Sequence, residues 1–312
     1  MKTNLIYILG MMCLSGTVSA QTTVNYTEFE QKVLDYSQTL KQSVSQRTAM
    51  QKAMKAAKTA FFPAVDATGS YQYPINKYDM DFGGMAVPME HDSYSAEVGV
   101  VQPIYAGGSI YHTYKASQIQ SQIADKSVDL TTDNLIYAAE ASYWGTAAQK
   151  EMYKTMCQYV EIISQLTKVL QDKYDDGYIS KTDLIQMQTR LKEAELQRSS
   201  SYQSYQIALQ NMNVLMGLEP DKEVGLVDSI FVELPLPAYV GADAALNVRP
   251  DYAISQLDVD YQKRQVKLAA AKYNPSLSIG FKETWGTQML NISGETMFNS
   301  NVYASVKLPL FH

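Results

Sequence analysis

Four short segments of the chain alternate between apolar and polar residues with a period of two. They cover residues 64–75, 94–105, 276–286 and 301–311. Because successive side chains of a strand point to opposite faces, each segment predicts a β-strand with one apolar face. Each is close to the roughly 9–11 residues that a tilted membrane strand needs. The apolar positions are Val65, Ala67, Gly69, Tyr71, Tyr73 and Ile75, then Tyr94, Ala96, Val98, Val100 and Ile104, then Leu277, Ile279, Phe281 and Trp285, and finally Val302, Ala304, Val306, Leu308 and Leu310.

Most of the remaining chain carries the periodicity of helices. Apolar residues recur at alternating spacings of three and four from Met152 to Tyr174 and again from Leu184 to Met216. This is the heptad pattern of helices that pack along a seam. A helix over 108–173 would be about 100 Å long at 1.5 Å per residue, which is longer than a globular domain needs. The turn near 175–181 therefore predicts a long antiparallel hairpin over 108–216.

The chain contains two copies of one pattern, in which a helix, a proline and a pair of strands follow one another. An alanine-rich helix ends at Pro63 in the first copy and at Pro275 in the second. The second strand of each pair carries Pro103 or Pro309. The two offsets, 275 − 63 = 212 and 309 − 103 = 206 residues, agree apart from a shorter loop between the strands. The sequence therefore predicts an internal repeat.

This repeat predicts how the chain is divided. We expect a signal peptide over 1–20, a first structural repeat over 21–219, a connecting equatorial segment over 220–243 and an incomplete second repeat over 244–312. The first segment has a positive residue, a short apolar run and small residues before a cleavage point. The second copy has no counterpart of the first hairpin. We therefore expect the form that ends at His312 to assemble poorly, because apolar helix seams would stay exposed.

Composition and charge narrow the class of protein further. Beyond the signal peptide, Cys157 is the single cysteine, so the mature chain has no internal disulfide and must be held together by packing or assembly. The net charge of −6 argues against nucleic acid as a partner. No later stretch approaches 18 consecutive apolar residues, so the sequence predicts no transmembrane helix. Two routes to the membrane remain, a β-barrel or none.

No pattern of catalytic or metal-binding residues is visible in the sequence. His91, His112 and His312 lie in a loop, at a helix start and at the last position, without partners for a catalytic triad or a metal site. Gly83-Gly84 and Gly107-Gly108 lack the Lys-Ser/Thr of a phosphate-binding loop. We therefore expect a protein that is not an enzyme and that needs no cofactor or metal.

Four strands are too few to close a barrel. In lipid, an open sheet edge leaves unsatisfied N–H and C=O groups that cost several kcal/mol each. Small closed barrels begin at about eight strands. A four-stranded subunit in a membrane must therefore share its barrel with other copies, and three copies would supply about twelve strands. One face of each strand would then contact lipid and the other a wet lumen.

Three stretches of the chain, in this order, resemble the TolC-like outer membrane efflux proteins. They are the alanine-rich helix that ends in Phe61-Phe62-Pro63, the strand exit Pro103-Ile104-Tyr105-Ala106-Gly107-Gly108, and the helix-tip stretch from Lys173 to Leu184. Each motif is loose alone, but their order and the duplication are specific, and the resemblance covers essentially the whole mature chain. The missing second hairpin departs from the family pattern. Because family members often place gate residues there, no gate is carried over.

The resemblance implies a fold that is mainly α with membrane β-strands. A long antiparallel coiled-coil helical hairpin would be combined with four strands that contribute to a shared trimeric β-barrel. It further implies a homotrimer in the outer membrane with its helical part in the periplasm. With a periplasmic adaptor protein and an inner-membrane transporter, such a trimer serves as the passive conduit of a tripartite efflux or type I secretion system.

The resemblance also implies two sets of site residues. The helix tip would contact the adaptor through Tyr174, Asp175, Asp176, Gly177, Tyr178, Ile179, Ser180 and Asp183. The strand-to-helix exits would be formed by Pro63, Pro103, Gly107, Gly108, Pro275 and Pro309.

Simpler interpretations of the same patterns stay open at this point. The heptads also suit an ordinary helical bundle or coiled-coil rod, and the alternating strands also suit a soluble sandwich. The tip could be only a hairpin loop in which Gly177 supplies a positive φ and Asp175 and Asp176 are solvated. The rival function is a structural or adhesive periplasmic helical protein without a channel.

Overall fold

The computed structural model describes most of the chain after the predicted signal peptide. The described residues are 22–73, 75, 79–81, 83–84, 86–88, 92–231, 238–287 and 296–310. The signal peptide predicted over 1–20 lies outside them, as do His91 and His312. Within the described residues, no helix has both the length and the apolar character that crossing a membrane requires.

Helices make up most of the described chain, and the strands are few and short. This confirms the predicted class, mainly α with a small number of strands, and the long helical hairpin. The elements in chain order are β1 (Thr22–Val24), α1 (Tyr26–Tyr36), α2 (Gln38–Thr59), β2 (Ala64–Gln72), β3 (Asp79–Asp81), β4 (Ala86–Pro88), β5 (Ser93–Ala106), α3 (Ser109–Asp175), α4 (Lys181–Leu215), β6 (Val224–Leu226), α5 (Ala242–Val248), α6 (Pro250–Ala271), β7 (Ser276–Gly286) and β8 (Met297–Lys307).

The chain forms two compact units. The first combines Met1–Leu40 with Thr132–Ala238, and the second combines Lys41–Thr131 with Tyr239–His312. Each unit is therefore built from segments that are distant in sequence. The predicted division into two successive repeats and a connecting segment describes a duplication in the sequence. The compact units do not test that division, so it stays a prediction.

The predicted hairpin is formed by α3, which is continuous for 67 residues, and α4. In the first unit the Thr146 hydroxyl of α3 donates a hydrogen bond to the Ala208 carbonyl of α4 over 3.2 Å. Further along, the rings of Tyr153 and Tyr202 lie 5.2 Å apart. Residue numbers rise along α3 while they fall along α4, so the two helices run antiparallel.

The core of the first unit lies where α1 packs against α3 and α4. Phe29, Val33, Tyr143 and Met212 are each at most 1% exposed. The short strand β1 pairs in parallel with β6 and contributes Val24 to the same cluster. The sequence did not predict β1 or β6, because three residues are too few to show a period.

The second unit contains an antiparallel four-stranded sheet in the order β2-β5-β7-β8. The strand over 276–286 has the predicted bounds. The other predicted bounds were wrong by one to four residues, and the ladder explains why. β2 stops at Gln72, which is paired with the first residue of β5, Ser93. β8 covers Met297–Lys307 instead of 301–311, because it follows β7 over the whole length of that strand.

Several apolar residues assigned to strands by their alternation lie outside the ladder. Tyr73 and Ile75 follow the end of β2, and Leu308 and Leu310 follow the end of β8. Next to Leu308 and Leu310 is Pro309, which has no N–H to continue a ladder. Ile104 is skipped by a register shift between Pro103 and Tyr105, so it forms a bulge. Alternation alone does not reveal where a partner strand ends.

Candidate functional site

The register of the sheet brings the four apolar sets onto one face. Val65 lies opposite Val100, Val100 opposite Phe281, and Phe281 opposite Val302, so one row crosses all four strands. Directly paired residues point to the same side of a sheet. These side chains stay exposed, from 39% for Phe281 to 78% for Val302. A soluble sandwich would bury such a face under a second sheet, which the described residues do not supply.

A row of aromatic rings crosses this apolar face at the end of the sheet away from the helices. Tyr71 pairs with Tyr94, and Trp285 pairs with Phe298. The rings of Tyr94 and Trp285 are 5.5 Å apart, and those of Trp285 and Phe298 are 6.4 Å apart. Aromatic rows of this kind are typical of strands at a membrane interface. Alternation identified Trp285 as an apolar strand position, but the sequence did not predict the row.

A second group of exposed aromatic side chains lies where the sheet meets the helices. Phe62 is 60% exposed, Tyr105 50% and Tyr273 70%. From Phe62 to Tyr71 the chain advances nine residues, or roughly 30 Å along a strand. With the usual tilt of about 40°, the two aromatic groups are about 23 Å apart in height, close to the apolar band of membrane barrels.

The opposite face of the sheet is polar. On it, Lys282 Nζ lies 2.7 Å from Glu97 Oε2, and the hydroxyls of Ser70 and Ser95 are hydrogen bonded at 2.8 Å. The apolar face has one ionisable exception, Glu283, which pairs with Val98. The sheet therefore has one face that suits lipid and another that suits water.

Both outer edges of the sheet are unpaired within the described chain. β2 pairs with β5 alone, and β8 pairs with β7 alone. Each outer strand thus presents a row of backbone N–H and C=O groups that can bond to another strand. The fourth strand does not meet the first strand of its own chain.

The predicted strand-to-helix exits of the two copies come together at the base of the sheet. Gly107 and Gly108 have φ values of +65° and +87°. A Cβ at Gly107 would approach the Ala271 carbonyl oxygen to 2.7 Å, so this position admits only glycine without rearrangement. The Asn274 side-chain amide donates to the Gly107 carbonyl over 2.9 Å. This contact ties the end of α6 to the start of α3.

The prolines predicted at the exits occupy different places in the ladder. Pro63 and Pro275 immediately precede β2 and β7, where a missing N–H costs no ladder bond. Pro103 lies at the bulge of β5, and Pro309 follows β8 and helps to line a cavity of about 270 Å³ at the base of the sheet.

The tip of the hairpin is a tightly bonded turn. Tyr178 N–H bonds to the Lys173 carbonyl over 2.8 Å, and Gly177 N–H bonds to the Tyr174 carbonyl over 2.9 Å. Gly177 has a φ of +81°. This is the Schellman arrangement in which a left-handed residue ends a helix. Gly177 thus has the positive φ that the simpler interpretation of the tip, an ordinary hairpin loop, also requires.

The next helix begins with a reciprocal cap. The Ser180 side chain accepts a bond from Asp183 N–H, and the Asp183 carboxylate accepts one from Ser180 N–H over 3.2 Å. Tyr178 is 80% exposed, whereas Leu184 is buried beneath the turn at 5%. Ile179 is half-buried between them. The turn is thus rigid, with one large aromatic side chain projecting from it.

The remaining predicted tip residues are carboxylates and one half-buried ring. Asp175 and Asp176 are exposed, and Asp175 accepts a bond from the Gln171 amide over 3.0 Å. Tyr174 is half-buried. The contact of the tip with an adaptor stays a prediction.

A buried polar cluster in the first unit was not predicted from the sequence. The Tyr143 hydroxyl donates to Asp228 Oδ2 over 2.7 Å and lies 3.1 Å from the Val24 carbonyl. Tyr26 N–H donates to the same Asp228 oxygen over 2.7 Å. Burial raises the pKa of Tyr143 well above its usual range, so the hydroxyl stays protonated as a donor. No sequence motif marks these residues, which are distant along the chain.

The long hairpin and the two-faced open sheet together define a channel-type fold, and the sequence comparison agrees. Residues 30–218 match the family described as outer membrane efflux protein. The chain belongs to the outer membrane efflux protein family, and the TolC-like resemblance is thereby confirmed. No curated protein matches the sequence significantly.

Solved structures with the same fold are outer membrane channels. CmeC of Campylobacter jejuni is 16% identical with a TM-score of 0.77, and the match covers 92% of this chain and 62% of that one. VceC of Vibrio cholerae is 14% identical with a TM-score of 0.74, covering 92% and 69%. MtrE of Neisseria gonorrhoeae is 17% identical with a TM-score of 0.59, covering 92% and 63%. The chain thus spans about two thirds of the length of these channels.

Proposed function

We propose that this protein is a subunit of an outer membrane efflux channel. The observation that carries the proposal is the register that places four apolar strand faces on one exposed side of the sheet and polar groups on the other. Such a sheet suits lipid on one side and a water-filled lumen on the other. The aromatic groups at its two ends are spaced as the two interfaces of a membrane require.

The open edges of β2 and β8 support assembly into a closed trimer. In lipid, the unpaired backbone groups of both edges would have to be satisfied, and the edge of another copy offers the matching groups. Three copies give about twelve strands, which exceeds the roughly eight needed for a small barrel. In this arrangement the outer edge of β8 pairs with the outer edge of β2 of the next copy.

Conductance tests the channel proposal. The protein, produced in a bacterial outer membrane, should migrate as a heat-modifiable trimer and should form single-channel steps in a planar bilayer. Asp66→Cys on β2 can be combined in turn with a cysteine at Asn299, Asn301, Ser305 or Lys307 on the same face of β8. One of these pairs should give a disulfide between copies under oxidation, while each single variant should not. A soluble monomer without conductance would favour the rival proposal, a structural or adhesive periplasmic protein.

The helix tip is proposed to dock a periplasmic adaptor protein, so that an inner-membrane transporter drives substrates through a passive conduit. The rigid turn and the projecting ring of Tyr178 support this proposal, because tips on rigid helices position contact residues well. Asp175 and Asp176 would add polar contacts at the rim. Gly177 and the capping pair would act by holding the turn.

A cross-linking experiment tests the tip. Tyr178→Ala removes the exposed ring without touching the bonds of the turn, so it should weaken cross-linking to the adaptor at least about ten-fold if the ring is an anchor. Trimer migration should not change. Tyr137→Ala, which removes a ring that is 73% exposed elsewhere on α3, is the matched control. Equal cross-linking of the two variants would remove the docking proposal.

A further inference from the structure

We propose that the helices below the sheet carry a basic collar that binds the anionic headgroups of the membrane leaflet facing them. The proposal rests on the proposed function, because it needs the sheet to lie in a membrane. The basic collar consists of Lys52, Lys55, Lys58, Lys115, Lys263, Arg264 and Lys267.

The three chain segments next to the sheet carry positively charged side chains and no carboxylates. Residues 41–63, 107–124 and 261–275 contain ten of the 26 lysines and arginines of the chain and none of its 32 aspartates and glutamates. The protein as a whole is acidic, with a net charge of −6. A positive band at this height therefore runs against the overall composition and suits an anionic partner.

A groove between α3 and α6 gathers four of these cations. It encloses about 610 Å³ and is lined by Lys115, Lys263, Arg264 and Lys267, with one carboxylate, Asp260. That carboxylate is already paired with Lys263 at 2.8 Å. Arg264 also helps to lower the pKa of Asp260, and Lys115 donates to the Gln118 side chain over 3.0 Å. Among the described residues, neither Lys115 nor Lys267 forms an ion pair with a carboxylate. The groove is therefore an open site for an anion of headgroup size.

The titration of His112 reports on the same cations. Burial lowers its pKa, and the nearby Arg264 and Lys267 lower it further. The imidazole therefore stays mainly neutral beside the groove at neutral pH and adds no charge of its own to it. The positive field that opposes its protonation is the field that an anionic headgroup would relieve.

The handedness of the chain places the groove on the side of the apolar face. Tyr94, on that face, accepts a bond from Thr287 N–H over 2.9 Å, so its backbone groups point toward β7. Consider the sheet seen from its apolar face, with the helices below it. Because the residues are L-amino acids, the side of a strand to which the backbone groups of Tyr94 point is fixed, and in this view it is the left side, so β7 lies to the left of β5. Each of these strands is joined to one helix, β7 to α6, β5 to α3 and β2 to α2. From left to right in this view, the helices are therefore α6, α3 and α2. Asp125 of α3 faces Arg47 of α2. Lys115 is ten residues earlier on the right-handed α3, which places it roughly 80° further round the helix, toward the viewer.

Lys55 of α2 lies on the same side. Arg47 and Gln51 contact Asp125 and mark the line of α2 that faces α3. Lys55 comes two turns after Arg47 and lies roughly 80–100° round the helix from it, toward the viewer. Lys55 and Lys58 are exposed and make no ion pair with any residue in the described part of the chain. The collar therefore continues onto α2 through Lys55, while Lys58 lies roughly 20° round the helix from Arg47 and extends the basic band toward the sheet.

The height of the collar matches a headgroup layer. Lys58, Lys115 and Lys267 lie within nine residues of a strand end, which is about 13 Å or less along a helix. The exposed rings of Phe62 and Tyr273 lie between the collar and the strands, and that of Tyr105 lies at the end of β5 next to the helices. In membrane proteins, aromatic side chains lie at the interface and cationic side chains lie just beyond it, at the level of the lipid headgroups. This order favours a lipid headgroup over a soluble anion as the ligand of the collar.

Lipid retention tests the collar. The protein, purified in a non-ionic detergent, is mixed with equal amounts of phosphatidylglycerol and phosphatidylcholine, and the retained lipid is measured by native mass spectrometry. We expect retained phosphatidylglycerol to exceed phosphatidylcholine by about ten-fold or more at low salt, and the excess to shrink at high salt. The variant K55Q/K58Q/R264Q/K267Q should lose the excess.

The control removes the same number of charges from the hairpin. K154Q/K168Q/K181Q/K192Q changes exposed lysines of the first unit and should keep the lipid preference. A preference that survives in the collar variant, or that is lost equally in the control, overturns the proposal. So does equal retention of both lipids by the unmodified protein, which would leave the channel proposal intact. Retention of neither lipid would instead count against a membrane location and so against both proposals.

Discussion

Two regions of this protein expose the same kind of side chain to opposite surroundings. In the first unit, Phe29 is fully buried against Tyr143, with ring centroids 5.5 Å apart. In the sheet of the second unit, Phe298 is 73% exposed, although it belongs to an equally apolar set. Exposure of a whole apolar face is costly in water. The apolar side chains of the helical core are covered by other side chains of the protein. Those of the sheet are not, so they suit lipid better than water.

The largest expected effect comes from deleting the buried ring. Phe29→Ala should destabilise the first unit by about 3–5 kcal/mol, because it removes a fully buried side chain and leaves a cavity. Phe298→Ala is the matched control and should change the unfolding midpoint in detergent very little. Thermal loss of the far-ultraviolet circular dichroism signal measures both. Equal losses of stability in the two variants would contradict the view that Phe29 is covered by protein and Phe298 is not.

A charge placed on each face of the sheet gives the next largest effect. Val302 is the middle residue of β8 and is 78% exposed on the apolar face. Val302→Arg should cost about 2–4 kcal/mol per subunit on insertion, because an arginine near the bilayer midplane is expensive. Asn299→Arg puts the same charge on the polar face and should insert normally. Folding yield into lipid vesicles separates the two.

The alternating segments and the heptads were sufficient to predict the four strands of the larger sheet and the long hairpin with its turn. Period two identifies strand faces, and the break in the heptads near 175–181 predicts a turn. What alternation does not contain is the partner of each strand. The bulge at Ile104 and the early start of β8 depend on pairing with β7, which is a long-range property. The contact of Tyr143 with Asp228 likewise joins residues that are 85 positions apart.

Removing one hydroxyl sharpens the view of the buried region. Tyr143→Phe leaves the packing of the ring but takes one donor from the Asp228 carboxylate, which keeps its bond from the Tyr26 N–H. We expect a loss of about 1–3 kcal/mol in unfolding free energy. Tyr137→Phe, at an exposed position of the same helix, should have no measurable effect. A loss that is equal in both variants would show that the hydroxyl of Tyr143 is not used in the core.

The smallest expected effect concerns His112, at the start of α3 below the sheet. Its pKa in the folded protein is lowered by burial and then by Arg264 and Lys267, from an ordinary value of 6.5. The unfolded chain therefore binds a proton more readily, and stability rises with pH in this range. The contribution is fully present above the unfolded pKa and is lost as pH falls below it toward the folded pKa.

The unfolding midpoint should therefore decrease between about pH 7 and pH 5, and His112→Asn should flatten that decrease. Asp251 and Asp260 have pKa values lowered from 3.8 by Arg249 and Lys263, so their contributions are lost only at more acidic pH. An anion in the groove between α3 and α6 would offset the positive field and raise the pKa of His112. Adding phosphatidylglycerol should then reduce the pH dependence in the unmodified protein, and the collar variant should lack this response. An unchanged slope in His112→Asn would assign the pH dependence to other groups.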